Sequence, residues 1–428
     1  MRSKYSWGLG PEVIRSIYNA AVEPVILYAA SAWAPAAGKL QSRRQFDAVQ
    51  RGFAQKIIKG YRTVSLNSAL VLAGLLPLDL RVREAAELHE ARRGYCRRVA
   101  GDREVERPVA FTTRSHPAKH AQIAYKSVVD EAELIQQNIN GRTIYTDGSK
   151  IDGQVGAAVS VREDGAEIAS HKLKLDSFCT VYQAELLELH EASKLAQKDH
   201  SACCSILSDS RSALDAVTGG VTLHPLVVKT YTKLQDIIAS GRIINLFWIK
   251  AHVGLEGNER ADLLAKDAAK KLKRKPDYDL CPLSFIKRQI RSESLEEWNK
   301  RYKNGETATV TKILFPDAVK AYKVLRKIPL DPVLVQVLTG HGGFSDYLHR
   351  FKCKSSPSCI CDPEKSESIL HLVLECPVYA RQRLDLEDKI GMTIEKDHIY
   401  KIIENTETRD KFINYCKIIA GKTINRNK

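Results

Sequence analysis

Apolar residues recur at helical spacing near the start of the chain, at Val13, Ile14, Ile17 and Ala21 and again at Phe46, Val49, Phe53 and Ile57. Residues 1–135 are therefore expected to form a helical region. The period changes at Arg142. Residues 143–146, 155–161 and 168–175 are rich in β-formers, and Gly153 and Asp164-Gly165 between them are turn signals. Helical patterning follows over 179–196, then a strand over 205–208 and a short helix over 210–217. A helix over 224–238 with Pro225 near its start, a strand over 243–249 and a helix to 271 with Asn258 as its N-cap complete the stretch. The order βββαβααβα predicts an α/β domain over residues 138–272, a five-stranded mixed sheet flanked by helices. Residues 101–137, with Pro108 and Pro117, read as a linker leading into a helix. Residues 273–428 read as mostly helical, interrupted by a cysteine-rich stretch from Cys353 to Cys376.

Two or three domains suit the length of 428 residues, each able to bury its own core, and the patterning divides the chain into three. The most apolar early stretch, residues 21–37, contains Glu23, Pro24 and Pro35, so it reads as a buried helix and no membrane partner is expected. No secretory signal is legible, which points to an intracellular protein, nuclear or cytoplasmic. The ten cysteines are then expected as reduced thiols or metal ligands rather than disulfides. Charge changes the picture further. The formal net charge of +15 divides into +9 over residues 1–100, −1 over 141–272 and +7 elsewhere. A near-neutral centre between basic flanks is the pattern of a protein that meets a polyanion. Arg43, Arg44, Arg51, Lys56 and Lys59 lie along one predicted helix as a candidate phosphate-facing stripe, and six basic residues fall between Lys266 and Lys275.

Four acidic residues stand at junctions of the predicted central domain. Asp147 follows the first strand in Tyr145-Thr146-Asp147-Gly148-Ser149, and Glu185 lies on the first helix in Tyr182-Gln183-Ala184-Glu185. Asp209 ends the fourth strand, and Asp262 sits early on the last helix. Strand ends of an α/β sheet are where ligand sites form. Carboxylates gathered there need a counter-charge, and hard oxygen ligands suit Mg²⁺ or Mn²⁺. Two such ions about 4 Å apart can clamp the attacking and leaving oxygens of a phosphodiester.

With their neighbours, these residues carry a family resemblance. The segments YTDGS (145–149), YQAELLEL (182–189), LSDSRSAL (207–214) and WIKAHVGLEGNERADLLAK (248–266) are similar to type 1 RNase H over nearly all of residues 141–272. The resemblance implies an RNase H-like fold and hydrolysis of the RNA strand of an RNA–DNA hybrid. Asp147, Glu185, Asp209 and Asp262 match the family's metal-binding carboxylates for two Mg²⁺ or Mn²⁺ ions. His252 matches its mobile-loop histidine, given freedom by Gly254 and Gly257. Gly148, Ser149 and Gln183 are the implied substrate contacts, with Gln183 where many members have Asn. Recognition of RNA would come from its 2′-hydroxyls. The alternatives are a catalytically silent nucleic-acid-binding module and a transposase or integrase sharing the fold.

The flanks narrow the origin. Residues 17–30 and 338–344, with Tyr347-Leu348-His349-Arg350-Phe351, resemble insect non-LTR retrotransposon proteins derived from reverse transcriptases. No Asp-Asp dipeptide occurs in the chain, so polymerase activity by this chain alone is not expected, and a separate reverse transcriptase is a candidate partner. Cys359, Cys361, His371 and Cys376 form a candidate structural Zn²⁺ set, with Cys353 as an alternative ligand.

Overall fold

The computed structural model describes residues 9–94, 101, 103–113, 122–137, 139, 141–199, 201–271 and 273–428. Pro117 and both expected ends of the central domain, Asn138 and Leu272, lie outside the described residues. The chain forms two compact units, residues 88–289 and residues 1–87 with 290–428, where three consecutive domains were expected. Among the described residues no helix is long and apolar enough to cross a membrane.

The unit 88–289 is built on a mixed sheet. It has six strands, not five, in the order β1-β6-β5-β2-β3-β4. β2 (Arg142–Ile151), β3 (Gln154–Glu163) and β4 (Ala166–Leu175) are an antiparallel meander. Its two-residue turns are Asp152-Gly153 and Asp164-Gly165, with both residues at positive φ in each case. That backbone twists with the strands, which is why Asp-Gly is favoured there. β5 (Cys203–Ser208) runs parallel to β2, and β6 (Ile243–Ile249) runs parallel to β5. The unexpected strand is β1 (Tyr125–Val128), parallel to β6 at the sheet edge. Its four residues are too few to show a period, so sequence patterning absorbed them into a linker.

Four helices flank this sheet close to their expected positions: Val181–Lys198, Arg211–Thr218, Pro225–Ala239 and Glu256–Lys271. The first is started by a capping box between Thr180 and Gln183, the second by Ser210, and the third by His224 with Pro225 at its first turn. Asn258 departs from expectation. The last helix begins at Glu256, so Asn258 lies within it and not at its cap. Tyr145, Leu207, Phe247, Ile249, Leu255 and Ala261 form one buried cluster between sheet and helices.

Segments outside the expected domain brace its helix starts. Glu106 N–H donates to Cys281 O at 2.9 Å, and Cys281 N–H donates to Glu104 O at 2.7 Å. The Glu106 carboxylate accepts from Gln183 Nε2 at 2.9 Å and from the Tyr278 hydroxyl, and pairs with His224 Nε2 at 3.0 Å. One acid from the supposed linker thus joins the N-termini of two helices.

The unit formed by residues 1–87 and 290–428 is helical around a shared core. Tyr18, Leu70, Leu72, Leu78, Trp298, Tyr302, Phe315, Leu338, Phe344, Leu372, Phe412 and Ile419 are all buried in one cluster. The N-terminal and C-terminal helical regions are therefore one body, because neither completes this core alone. The stretch 21–37 is not a single helix. A π-helical turn at Tyr18–Val22 leads into Glu23–Leu27, and the chain bends at Ala29 (φ 50°) before Ala30–Ala37. The basic helix spans Leu40–Ile57, where part of the stripe is already engaged: Arg43 pairs with Asp79 at 3.5 Å, and Arg51 donates to the carbonyls of Arg62 and Val64.

Replacing Glu106 by Leu removes one acceptor and strands Gln183, His224 and Tyr278. It should lower unfolding stability by about 2 kcal/mol or more, read by urea denaturation. Hydrogen bonds to the Glu106 carboxylate hold its pKa below the ordinary value despite burial. Its contribution is therefore present at neutral pH and lost as pH falls through that depressed value. Wild type and Glu106→Leu should converge in stability at acid pH.

Candidate active site

The site forms where β2 parts from β5. The last rung between these strands pairs Thr146 with Ser208. One residue further, Asp147 continues along β2, still paired to β3, while Asp209 leaves the end of β5. Asp147 is therefore not at a strand end, as expected, but at the point where pairing on one side stops. Gly148 lets the Val181–Lys198 helix approach. A Cβ there would lie 2.9 Å from Glu185 N and 3.1 Å from Ala184 Cβ. Glu185 is thereby brought to the edge, and Asp262 reaches it from the Glu256–Lys271 helix.

The carboxylates feel one another strongly. Asp147 is 8% exposed, with Asp262 close beside it. Burial, then the charges of Asp209 and Asp262, push the Asp147 carboxyl up to about 8. Burial and Glu185 likewise raise Asp209, against partial relief from a hydrogen bond with Asn258. Asp262 also accepts from Lys266 Nζ at 2.6 Å. The ligand atoms of the four do not crowd onto one point. Among the described residues, two sets have all ligand atoms within 4.8 Å: the Cys/His cluster, and His252 with Glu259 and Asp262. Oxygen donors with unmet negative charge fit a hard divalent cation.

His252 stands on the loop before the last helix. Its side chain is 71% exposed, 4.0 Å from Glu259, and its backbone has φ 56°. Such a left-handed conformation is costly for a residue with a side chain and recurs at functional positions. Gly254 (φ 82°) shares the loop, but Gly257 does not supply loop freedom. It is helical, and a Cβ there would lie 2.4 Å from the Tyr145 ring.

Of the three expected substrate contacts, Gly148 and Ser149 are partly exposed on β2 beside the acids. Gln183 is not available in that way. It is 1% exposed, its Oε1 accepts from Thr180 N–H, and its Nε2 donates to Glu106 and to Leu280 O. Both ends of the amide are consumed in holding the helix start.

Several supporting residues escaped sequence reasoning. Ser210 Oγ donates to Glu185 Oε2 at 2.7 Å while capping its own helix. Trp248 Nε1 donates to Asp209 O at 3.0 Å. Asn258 was legible only as a cap, yet its side chain bonds Asp209. Glu188, one turn beyond Glu185, is a wholly buried acid. The only sequence signal for Glu188 was a charge on an otherwise apolar helix face.

In the other unit, hairpin strands β7 (Ser358–Cys359) and β8 (Asp362–Ser366) with the helix Ile369–Leu374 gather Cys359, Cys361, His371 and Cys376. Cys359 Sγ lies 3.8 Å from Cys376 Sγ, and Cys361 Sγ lies 3.2 Å from His371 Nε2. Zn–S bonds of about 2.3 Å at tetrahedral angles place sulfurs about 3.8 Å apart, so the set is compatible with zinc. Cys353 is exposed and outside the cluster.

The raised Asp147 value makes metal-free stability depend on pH. Between its ordinary 3.8 and about 8 the folded state binds more protons than the unfolded state, so stability falls as pH rises. In EDTA the melting temperature should drop from pH 5 to pH 8. Asp147→Asn or added Mg²⁺ should flatten that drop, and an equally steep drop in the variant would exclude Asp147 as the source.

Comparison with known proteins places the central unit. Residues 140–270 match the RNase H family model. A retrovirus-related Pol polyprotein from type-1 retrotransposable element R1 4 of Nasonia vitripennis is 37% identical over 101 residues, 23% of this chain and 25% of the relative. The corresponding R1 polyprotein of Popillia japonica is 33% identical over 168 residues, 37% of this chain and 63% of the relative. The matched region thus spans a quarter of the first relative and less than two thirds of the second. Among solved structures, RNase H1 of Halobacterium salinarum is 21% identical, covers 30% of this chain and 96% of its own, and has a TM-score of 0.25. This chain carries an RNase H-family domain over residues 140–270 and is similar to the Pol polyproteins of R1 retrotransposable elements.

Proposed function

We propose that the chain is an endonuclease that hydrolyses the RNA strand of RNA–DNA hybrids. The observation that carries this reading is the gathering of Asp147, Asp209, Glu185 and Asp262 where β2 parts from β5, with burial and neighbouring charge raising the Asp147 and Asp209 carboxyls. Acids in that state are poor core residues and good ligands. Asp147, Glu185, Asp209 and Asp262 would hold two Mg²⁺ or Mn²⁺ ions. Bound there, the ions supply charge neutralisation and Lewis acidity at the scissile phosphate.

The chain's own groups set the geometry. Asp147 and Asp209 fix two carboxylates across adjacent strands, and Ser210 and Asn258 orient Glu185 and Asp209. Gly148 and Ser149 give the phosphodiester backbone access to the acids, and His252 on its exposed loop assists departure of the cleaved strand. The basic residues of the helical unit left exposed, Arg44, Lys56 and Lys59 among them, add phosphate affinity without sequence preference. Cys359, Cys361, His371 and Cys376 hold one structural Zn²⁺ there.

Matched hybrid, double-stranded DNA and double-stranded RNA test the reading. Only the hybrid should be cut, in its RNA strand, leaving 5′-phosphate and 3′-hydroxyl ends. Asp147→Asn should lower the rate by at least about a hundredfold while the fold survives, and His252→Ala should slow turnover much less. Folded wild-type protein in Mg²⁺ that leaves hybrid RNA intact would leave only the silent binding module. Elemental analysis should find about one zinc per chain. Cys361→Ser and His371→Ala should lose it, and undiminished zinc in both would place the ion elsewhere.

A further inference from the structure

Glu188 has no place in the four-carboxylate set, and its surroundings are unusual. It is 0% exposed, as are Thr146 and Ser208. Ser208 Oγ donates to Glu188 Oε1 at 3.4 Å, and the Thr146 hydroxyl, which donates to Leu207 O at 3.5 Å, lies beside the carboxyl. Thr146 and Ser208 are direct partners across β2 and β5, the last rung before Asp147 and Asp209. Ser208 Oγ further accepts from Ser210 N–H at 3.2 Å, and Ser210 holds Glu185. One buried carboxyl therefore touches both side chains of the rung from which the two aspartates diverge. Its Oε2 has no hydrogen-bond partner. Burying an acid there is costly, and an aliphatic side chain of similar volume would pack without that cost.

We propose that Glu188 is a positioning residue, a clasp on the Thr146–Ser208 rung that fixes the separation of Asp147 and Asp209. The inference rests on the metal-site reading of those acids. The clasp acts through hydrogen bonds, so an amide serves and an aliphatic group does not. Glu188→Gln keeps two polar ends, whereas Glu188→Leu fills the volume and releases the Ser208 hydroxyl. Groups that orient metal ligands typically change metal affinity by about tenfold or more when lost.

The test uses the full-length protein, saturated with zinc, in calorimetric titrations with Mn²⁺. Glu188→Leu should bind Mn²⁺ about tenfold more weakly while melting, metal-free, at or above the wild-type temperature. Glu188→Gln should stay within about threefold of wild type, and Thr146→Val should lie between the two. A metal-independent readout accompanies these: amide hydrogen exchange at residues 146–148 and 208–210 in the apo protein should speed up in Glu188→Leu but not in Glu188→Gln. Wild-type Mn²⁺ affinity and unchanged exchange in Glu188→Leu would overturn the clasp and leave Glu188 an ordinary core residue. A wild-type protein that binds no Mn²⁺ would overturn the metal reading, and the clasp's role with it.

Discussion

Like-charge repulsion at the edge of one parallel strand pair is the constraint around which the central unit is arranged. Asp147 is buried, and burial with the charges of Asp209 and Asp262 raises its carboxyl, while burial and Glu185 raise Asp209. Without a cation partner, burial and neighbouring charge hold Asp147 toward its protonated form. The rest of the unit supplies what such an arrangement needs. Parallel pairing of β2 and β5 brings two acids side by side, and the helices Val181–Lys198 and Glu256–Lys271 deliver the others from either flank.

Holding these groups apart is mostly the task of neutral donors. Ser210, Asn258 and the Trp248 indole each bond a carboxylate or the backbone that carries one. Glu106 works at longer range, tying the starts of the Val181–Lys198 and Pro225–Ala239 helices to segments that flank the family-matched region. The folded unit is therefore larger than its family-matched region. Preorganisation of this kind matters because the acids would otherwise relax outward to solvent when no cation is bound.

How much of this was legible follows from what is local. The four carboxylates could be found because each lies within a few residues of a strand or helix boundary that hydrophobic periodicity marks. The Asp-Gly turns and the Ser210 and Pro225 helix starts are local for the same reason. What escaped is long-range. β1 is too short to show a period and is recruited by β6 across more than a hundred residues. Gln183 looked like a free amide, since nothing near it in sequence announces Glu106. The shared core of the two helical regions escaped likewise, because apolar faces that pair across the chain look the same as faces that pair locally. Cys359, Cys361, His371 and Cys376 sit within 18 residues of one another, and their convergence was legible from spacing.

The central claim, that burial and neighbouring charge hold Asp147 toward its protonated form until a divalent ion joins the acids, can be measured at Asp147 itself. Carboxyl ¹³C chemical shifts of aspartate-labelled, metal-free protein would be followed with pH, with Asp147→Asn assigning the signal. The account predicts that Asp147 titrates well above the ordinary carboxylate range, near the value of about 8, and that saturating Mg²⁺ returns it to that range or below. An Asp147 that titrates near 4 without metal, or whose titration Mg²⁺ leaves unchanged, would contradict the account.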